Sequence, residues 1–184
     1  MNQPRFECRV RVVRSLGVSV LLLTMSALAA APAHAAATLL GTFGDWYAWT
    51  DTEPGNKKFC YMHTTPLDMA PKGVNRGDVY LQVIHRSSDN SRNVVSIVAG
   101  YSFAPNAIVT ATVDTTDFKL FTKDDGAWNE TAAQDAAMVK AMVAGSKMSI
   151  KGTSVRNTVT TDTYSLSGFT AAHDAIDKAC PAGR

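Results

Sequence analysis

Short alternating apolar runs, cut at close intervals by turn residues, dominate this chain and restrict it to a sheet-rich fold. Residues 78–85 put Val79, Leu81 and Val83 on one side and Tyr80, Gln82 and Ile84 on the other. Residues 94–103 are β-branched and aromatic, 107–113 alternate, and 118–122 and 160–166 follow the same chemistry. Turn clusters at 53–58, 87–93, 104–106 and 123–126 separate these runs. Successive strand side chains point to opposite faces, so each run has one face for a core and one for solvent. The pattern predicts an all-β domain, a β-sandwich or barrel-like, with no βαβ crossover.

Two stretches carry helical period instead. Residues 131–144 open with a Thr131/Gln134 capping box and close at Gly145, expected to be left-handed. Ala132, Ala136, Val139 and Val143, flanked by Met138 and Met142, are expected to dock on the sheet. A shorter helix is expected over 170–179, with Ala172, Ile176 and Ala179 facing inward. These are the one or two short covering helices of the predicted fold.

The N-terminus fixes where the fold forms. Arg5, Arg9, Arg11 and Arg14 precede an apolar run over 16–31, and Pro32 leads into the small-x-small tripeptide Ala33-His34-Ala35. That order is the grammar of a cleavable signal peptide, so 1–35 is read as leader and 36–184 as one mature domain. The run is shorter than the ~20 residues of a spanning helix, and Cys8 leaves with it. No other segment is apolar enough to span a bilayer, so no integral span is expected after cleavage.

Removing the leader takes away four of 18 basic residues and one of 16 acidic residues, turning the formal charge from +2 to −1. The basic character of the full chain therefore belongs to the leader and gives no reason to expect nucleic acid.

Cys60 and Cys180 remain. An even count in an oxidising compartment points to a bridge between them, against the alternative of two thiols that never meet. No Cys-x-x-Cys is present to suggest redox activity.

Constellations for chemistry are sparse. His63, His85 and His173 show no metal-ligand spacing, and the first two read as strand residues facing solvent or a neighbour. The segment Tyr164-Ser-Leu-Ser-Gly168 lacks a nucleophile-elbow pattern, and Asp124-Asp125 before Gly126 reads as a turn. No Gly-rich loop opens a helix, so no cofactor, metal or catalytic residue is expected. Phe43, Trp46, Tyr47 and Trp49 read first as packing and second as a sugar or ring-stacking platform. Lys57, Lys58, Arg76, Arg86 and Arg92 read as solvated surface, with an anion or partner patch as the alternative.

Several of these segments, in order, resemble one family. Gly44-Asp45-Trp46, Cys60-Tyr61 and Arg76-Gly77-Asp78-Val79-Tyr80 are similar to the invasion associated locus B family of exported bacterial proteins. So are Gly100-Tyr101, Phe118-Lys-Leu-Phe121, Ala127-Trp128, and the helix bearing Met138, Met142 and Gly145. The resemblance continues through Lys151-Gly-Thr-Ser-Val-Arg156 and the stretch 161–169 to Ala179-Cys180-Pro181. It implies a periplasmic or cell-envelope β-rich domain with no established enzymatic activity and no catalytic residues to carry over. One departure stands out. Where the resemblance implies a cysteine, this chain has Thr50, so an early bridge to Cys60 cannot form and Cys60 is left to Cys180.

The expectation for function is a non-enzymatic exported envelope protein whose sheet face or turns bind a protein, a glycan or the envelope itself, or a structural module of that envelope. Arg156, Asp162 and Tyr164 are expected to serve architecture by satisfying buried polar groups. The alternative is a small periplasmic hydrolase or ligand carrier with a site built from dispersed residues. Its mark would be a histidine meeting a serine or carboxylate in a concave pocket.

Overall fold

A computed structural model describes residues 36–181. The signal-peptide expectation for 1–35 lies outside them. The strands, in chain order, are β1 (Thr38–Phe43), β2 (Trp46–Glu53), β3 (Lys57–Thr64), β4 (Asp68–Ala70), β5 (Tyr80–Arg86) and β6 (Val94–Val98). They continue as β7 (Ile108–Val113), β8 (Thr116–Lys123), β9 (Gly126–Trp128), β10 (Lys147–Thr153) and β11 (Val159–Ser165). Helix α1 (Ala132–Ala144) falls between β9 and β10, and α2 (Phe169–Ala179) follows β11.

All 11 strands join one antiparallel sheet in the order β1-β2-β3-β5-β6-β9-β8-β7-β10-β11-β4. The all-β expectation holds, in the form of a single unclosed sheet. Its two ends approach each other without pairing as strands. Asp45 N donates to Ser167 O at 3.1 Å, and Trp46 Nε1 donates to Ser165 O at 3.1 Å, although β2 and β11 stand near opposite ends of the order. The sheet is therefore curled, with an inner and an outer face.

The inner face is the core. Trp46, Met62, Leu81, Ile97, Leu120, Met148 and Tyr164 are fully buried there, each contributing about 1.5–3 kcal/mol of burial for the aliphatic side chains and more area for the rings. Helix α2 lies against β1, β2 and β3 and buries Phe169, Ala172 and Ile176. It starts at Gly168, whose φ is +87, and a Cβ there would sit 1.9 Å from Phe43 O. Only glycine allows the strand to turn into the helix this close to β1. Ala179, expected inward, is only partly buried.

Helix α1 carries the capping box read from its sequence: Gln134 N donates to Thr131 Oγ1, and Thr131 N donates to Gln134 Oε1. Its buried face differs from the expected one. Asp135, Met138, Val139 and Met142 are buried, whereas Ala132, Ala136 and Val143 are exposed. The reason lies in the sheet. Strand β9 is only three residues long and leaves Val95 N without a strand partner, so Asp135 Oδ1 turns inward and accepts from Val95 N and from Asn129 Nδ2. Satisfying a buried N–H outweighs presenting two alanines.

Gly145 is extended (φ −90, ψ 172), not left-handed as expected. It is small because Val113 Cγ1 would lie 2.8 Å from its Cβ, and the Asp114 carboxylate receives Ser146 N and Lys147 N beyond it.

Candidate functional site

Strand parity splits the aromatic cluster near the first strands. Trp46 points inward and meets Phe169 edge-on at 4.9 Å, and Phe43 packs against the core. Tyr47 and Trp49 point outward. There they join β3 in a set of nearly parallel rings: Tyr47 on His63 at 5.6 Å, Trp49 on Tyr61 at 6.5 Å, Tyr61 on His63 at 6.1 Å and Phe59 on Tyr61 at 5.7 Å. Packing and a ring platform, offered as alternatives from sequence, are both present on opposite faces of one strand.

The outer rings belong to a longer row. Tyr47 pairs with His63, His63 with Gln82, Gln82 with Ser96, Ser96 with Trp128, and Trp128 with Phe121. Direct partners in register share a face, so these six residues form one line across β2, β3, β5, β6, β9 and β8. Tyr47 is 44 % exposed and Phe121 40 %, which leaves both ends of the line open to a ligand. In its middle, Tyr61, His63, Tyr80 and Gln82 border a shallow groove of ≈ 250 Å³. Burial pushes His63 down from its ordinary value, favouring neutral imidazole there.

Trp128 has a distinctive pose. A Cβ on Gly126 would fall 2.1 Å from Cη2 of its indole, so the ring lies down along its own strand over the glycine. Phe121 sits 5.8 Å away at a tilt of 34°. The far end of the row is thus a tilted aromatic pair. Trp49 Nε1 is buried and has no hydrogen-bond partner among the described residues.

A second cluster lies inside, beside the bridge. Cys60 and Cys180 are disulfide-bonded with Cα atoms 6.0 Å apart, as expected. Thr50 is the direct cross-strand partner of Cys60, so a cysteine at that position would face it. His85, the partner of Cys60 on the other side, is buried, not solvent-facing. Its Nδ1 accepts from Asn93 N at 3.1 Å, which places the proton on Nε2, and Nε2 donates to Asp177 Oδ1 at 2.8 Å. His173 binds Asn93 Oδ1 through Nε2 at 2.8 Å and approaches Asp177 Oδ2 with Nδ1 at 3.3 Å. The Arg92 guanidinium also bonds Asp177, and it donates to Cys180 O at 2.6 Å. Burial first, and then the Arg92 cation, push His85 below its ordinary value.

Two of the three histidines thus meet a carboxylate, the convergence named as the mark of a dispersed site. His85, His173 and Asp177 also form a metal-ligand-like group with donor atoms within 4.8 Å. Both rings, however, have each nitrogen occupied or faced by a protein partner, and among the described residues neither ring bonds a serine. A cationic guanidinium already sits on the carboxylate that an ion would need.

The basic residues divide. Lys57 and Lys58 are exposed, as expected. Arg76 is not: its guanidinium grips Asp162 with two bonds of 2.7 Å, and its side chain is 7 % exposed. It also donates to Ala99 O at 2.9 Å and 2.7 Å and lies 5.0 Å from the Tyr101 ring centre. Arg86 pairs with Glu53 and Arg92 with Asp177.

Asp162 therefore serves architecture as expected. Tyr164 packs in the core, but its hydroxyl bonds nothing among the described residues, and burial drives its pKa far up. Arg156 is exposed in a turn held by Ser154 Oγ. Ser165 and Ser167 lie at the β11–α2 junction, where Ser167 N donates to Ser165 Oγ, and Asp124 takes a left-handed turn at φ +54.

Sequence reading missed the row because its members come from six strands. The signal was available only in the alternation of each strand: Tyr47 and Trp49, then Tyr61 and His63, then Tyr80 and Gln82.

Among the described residues no helix is long and apolar enough to cross a membrane. A family model described as Invasion associated locus B (IalB) protein matches residues 46–177. No curated protein and no solved structure matches the chain.

Proposed function

The chain belongs to the invasion associated locus B family, and from that premise we propose that it is a non-enzymatic exported protein that binds a partner at the cell envelope through its outer sheet face. The observation that carries this reading is the cross-strand row from Tyr47 to Phe121, with both ends exposed and a groove between them. Large amphipathic rings standing open on a sheet give contact area at little entropic cost, the usual composition of binding hot spots. The Cys60–Cys180 bridge and the leader-like N-terminus support export to an oxidising compartment, periplasmic or envelope-associated.

The test is crosslinking in intact cells, with a photoreactive side chain placed at Phe121 or Tyr47 and, for comparison, at exposed Lys140 on α1. Adducts from the row and not from Lys140 are expected. Adducts only from Lys140, or none, would overturn the reading.

The hydrolase alternative draws on the approach of His85 and His173 to Asp177. Occupied ring nitrogens favour the binding module over it. A hydrolytic activity abolished by His85→Gln in a protein of unchanged stability would reverse that order.

A further inference from the structure

We propose that the outer row is a platform for a linear, uncharged glycan, seated across the strands from the Tyr47 end to the Trp128–Phe121 end; this rests on the binding-module reading above and names its ligand class. The row offers two kinds of surface, aromatic and neutral polar. Its aromatic parts stand at two stations, Tyr47 with His63 at one end and Trp128 with Phe121 at the other. Between them lie half-buried Gln82, in register with His63, and Ser96, in register with Trp128 and closed in by its neighbours, so a ligand would meet Gln82 and pass over Ser96.

Five strand spacings of about 4.8 Å separate Tyr47 from Phe121, a path of roughly 24 Å. That length suits several consecutive sugar rings and exceeds any single one. The apolar C–H faces of sugar rings pack on aromatic faces, while their hydroxyls need neutral donors and acceptors at the sides. The groove between the stations supplies these as the Gln82 amide, the Tyr61 and Tyr80 hydroxyls and the His63 imidazole.

Charge selects among glycans. No Asp, Glu, Lys or Arg occupies the row, and burial holds His63 toward its neutral form. Lys119 and Lys123, two residues either side of Phe121 on β8, are the cations at its end. A chain charged at every sugar would find those lysines at one end or Asp51 beside Tyr61 near the other, whereas an uncharged one has no desolvated charge to leave unpaired.

The pose of Trp128 points the same way. Lying over Gly126, its indole packs along the strand beside Phe121, a broad aromatic surface of the kind on which a sugar ring stacks. The groove alone is too shallow to enclose a small drug-like ligand, but a chain crossing it gains area from both stations.

The experiment titrates protein expressed from the full chain with cello-, malto- and chito-oligosaccharides from dimer to hexamer, read by tryptophan fluorescence and calorimetry. Saturable binding to at least one series is expected, tightening with length. Trp128→Ala and Tyr47→Ala should each weaken it tenfold or more, and Trp128→Phe should retain most of it. Lys123→Ala should leave it unchanged. Unfolding curves on each variant separate lost binding from lost fold.

Absence of binding in every series, affinity independent of length, or indifference to both alanine variants overturns the proposal. Binding confined to uronic-acid or sulfated chains and lost in Lys119→Ala/Lys123→Ala overturns it too. If crosslinks from Phe121 capture a protein while no oligosaccharide binds, the ligand class is wrong and the binding-module reading stands; if neither occurs, both fall.

Discussion

The outer row and the buried polar groups use the same residue types to opposite ends. On the outer face His63 stacks between Tyr47 and Tyr61, half open, and its ring makes no hydrogen bond among the described residues. On the inner side His85 has both nitrogens engaged, sits against a disulfide and is 1 % exposed. A histidine with free valence toward solvent can meet a ligand, and one saturated by the fold can only hold the fold. The contrast locates function on the outside of the curled sheet. It also says where a substitution should cost stability and where it should cost binding.

The sharpest way to break that contrast is at Arg76 and Asp162. Removing one partner of a buried pair leaves the other charge uncompensated, so Asp162→Ala should lose about 3–5 kcal/mol in chemical denaturation. The double variant Arg76→Met/Asp162→Leu should recover much of this, because a buried pair seldom outperforms an apolar replacement. Both should fold with the outer row intact. A loss below 1 kcal/mol in Asp162→Ala would mean that the pair behaves as a surface salt bridge, and that the inside is less closed than its 7 % and 4 % side-chain exposures indicate.

Next in size is the bridge. It closes a sequence separation of 120 residues, and replacing Cys60 and Cys180 with serine should cost about 2–4 kcal/mol. The C-terminal turn of α2 should then exchange its amide hydrogens faster than β3 does. Equal protection at both places would show that Asp177 and Arg92 hold the helix without the sulfurs.

Acid probes the same corner more gently. The folded state holds His85 below its ordinary 6.5, while the unfolded chain titrates at that value. Between the two values the unfolded state binds more protons, so stability is full above about pH 6.5 and declines as pH falls below it. His63 is shifted in the same direction and adds to the slope. His85→Gln should flatten the slope measured by urea unfolding at a series of pH values. An unchanged slope would assign the acid sensitivity to His63.

What could be read from sequence follows the range of each interaction. Turns at Gly55–Asn56 and Asp124, the Thr131 capping box and the inward side of β5 depend on residues a few positions apart, and all were legible. The bridge was legible because only two cysteines lie beyond residue 35. Strands β1, β2, β3, β4, β9 and β10 were given no run of their own: β4 and β9 are three residues long, β3 was marked only through His63, and β10 owes its place to pairing with β7 and β11. The face of α1 was read in part: Met138, Val139 and Met142 are buried as expected, but Ala132, Ala136 and Val143 are not, because Asp135 answers a donor on β6, 40 residues earlier. Arg76 looked like a surface cation because its partner Asp162 is 86 residues away. The row is the extreme case, since each member is ordinary in its own strand and acquires meaning only in register.

The finest test concerns one methyl group. In Gly126→Ala the new Cβ would fall 2.1 Å from the Trp128 indole, so the ring must lift from the sheet. On an outer face it can swing toward water, which keeps the cost near the low end for overpacking, about 1 kcal/mol. Strand β9 should keep its pairing to β6 and β8, because neither hydrogen-bonded edge is touched. What changes is the presented surface: the flat station becomes an upright one, and Trp128 emission shifts to the red while buried Trp46 is unmoved. Ligand binding should weaken as much as in Trp128→Ala, although the aromatic ring is still present. Unimpaired binding in Gly126→Ala would show that the row works through hydrophobic area alone, and that the pose of its rings is incidental.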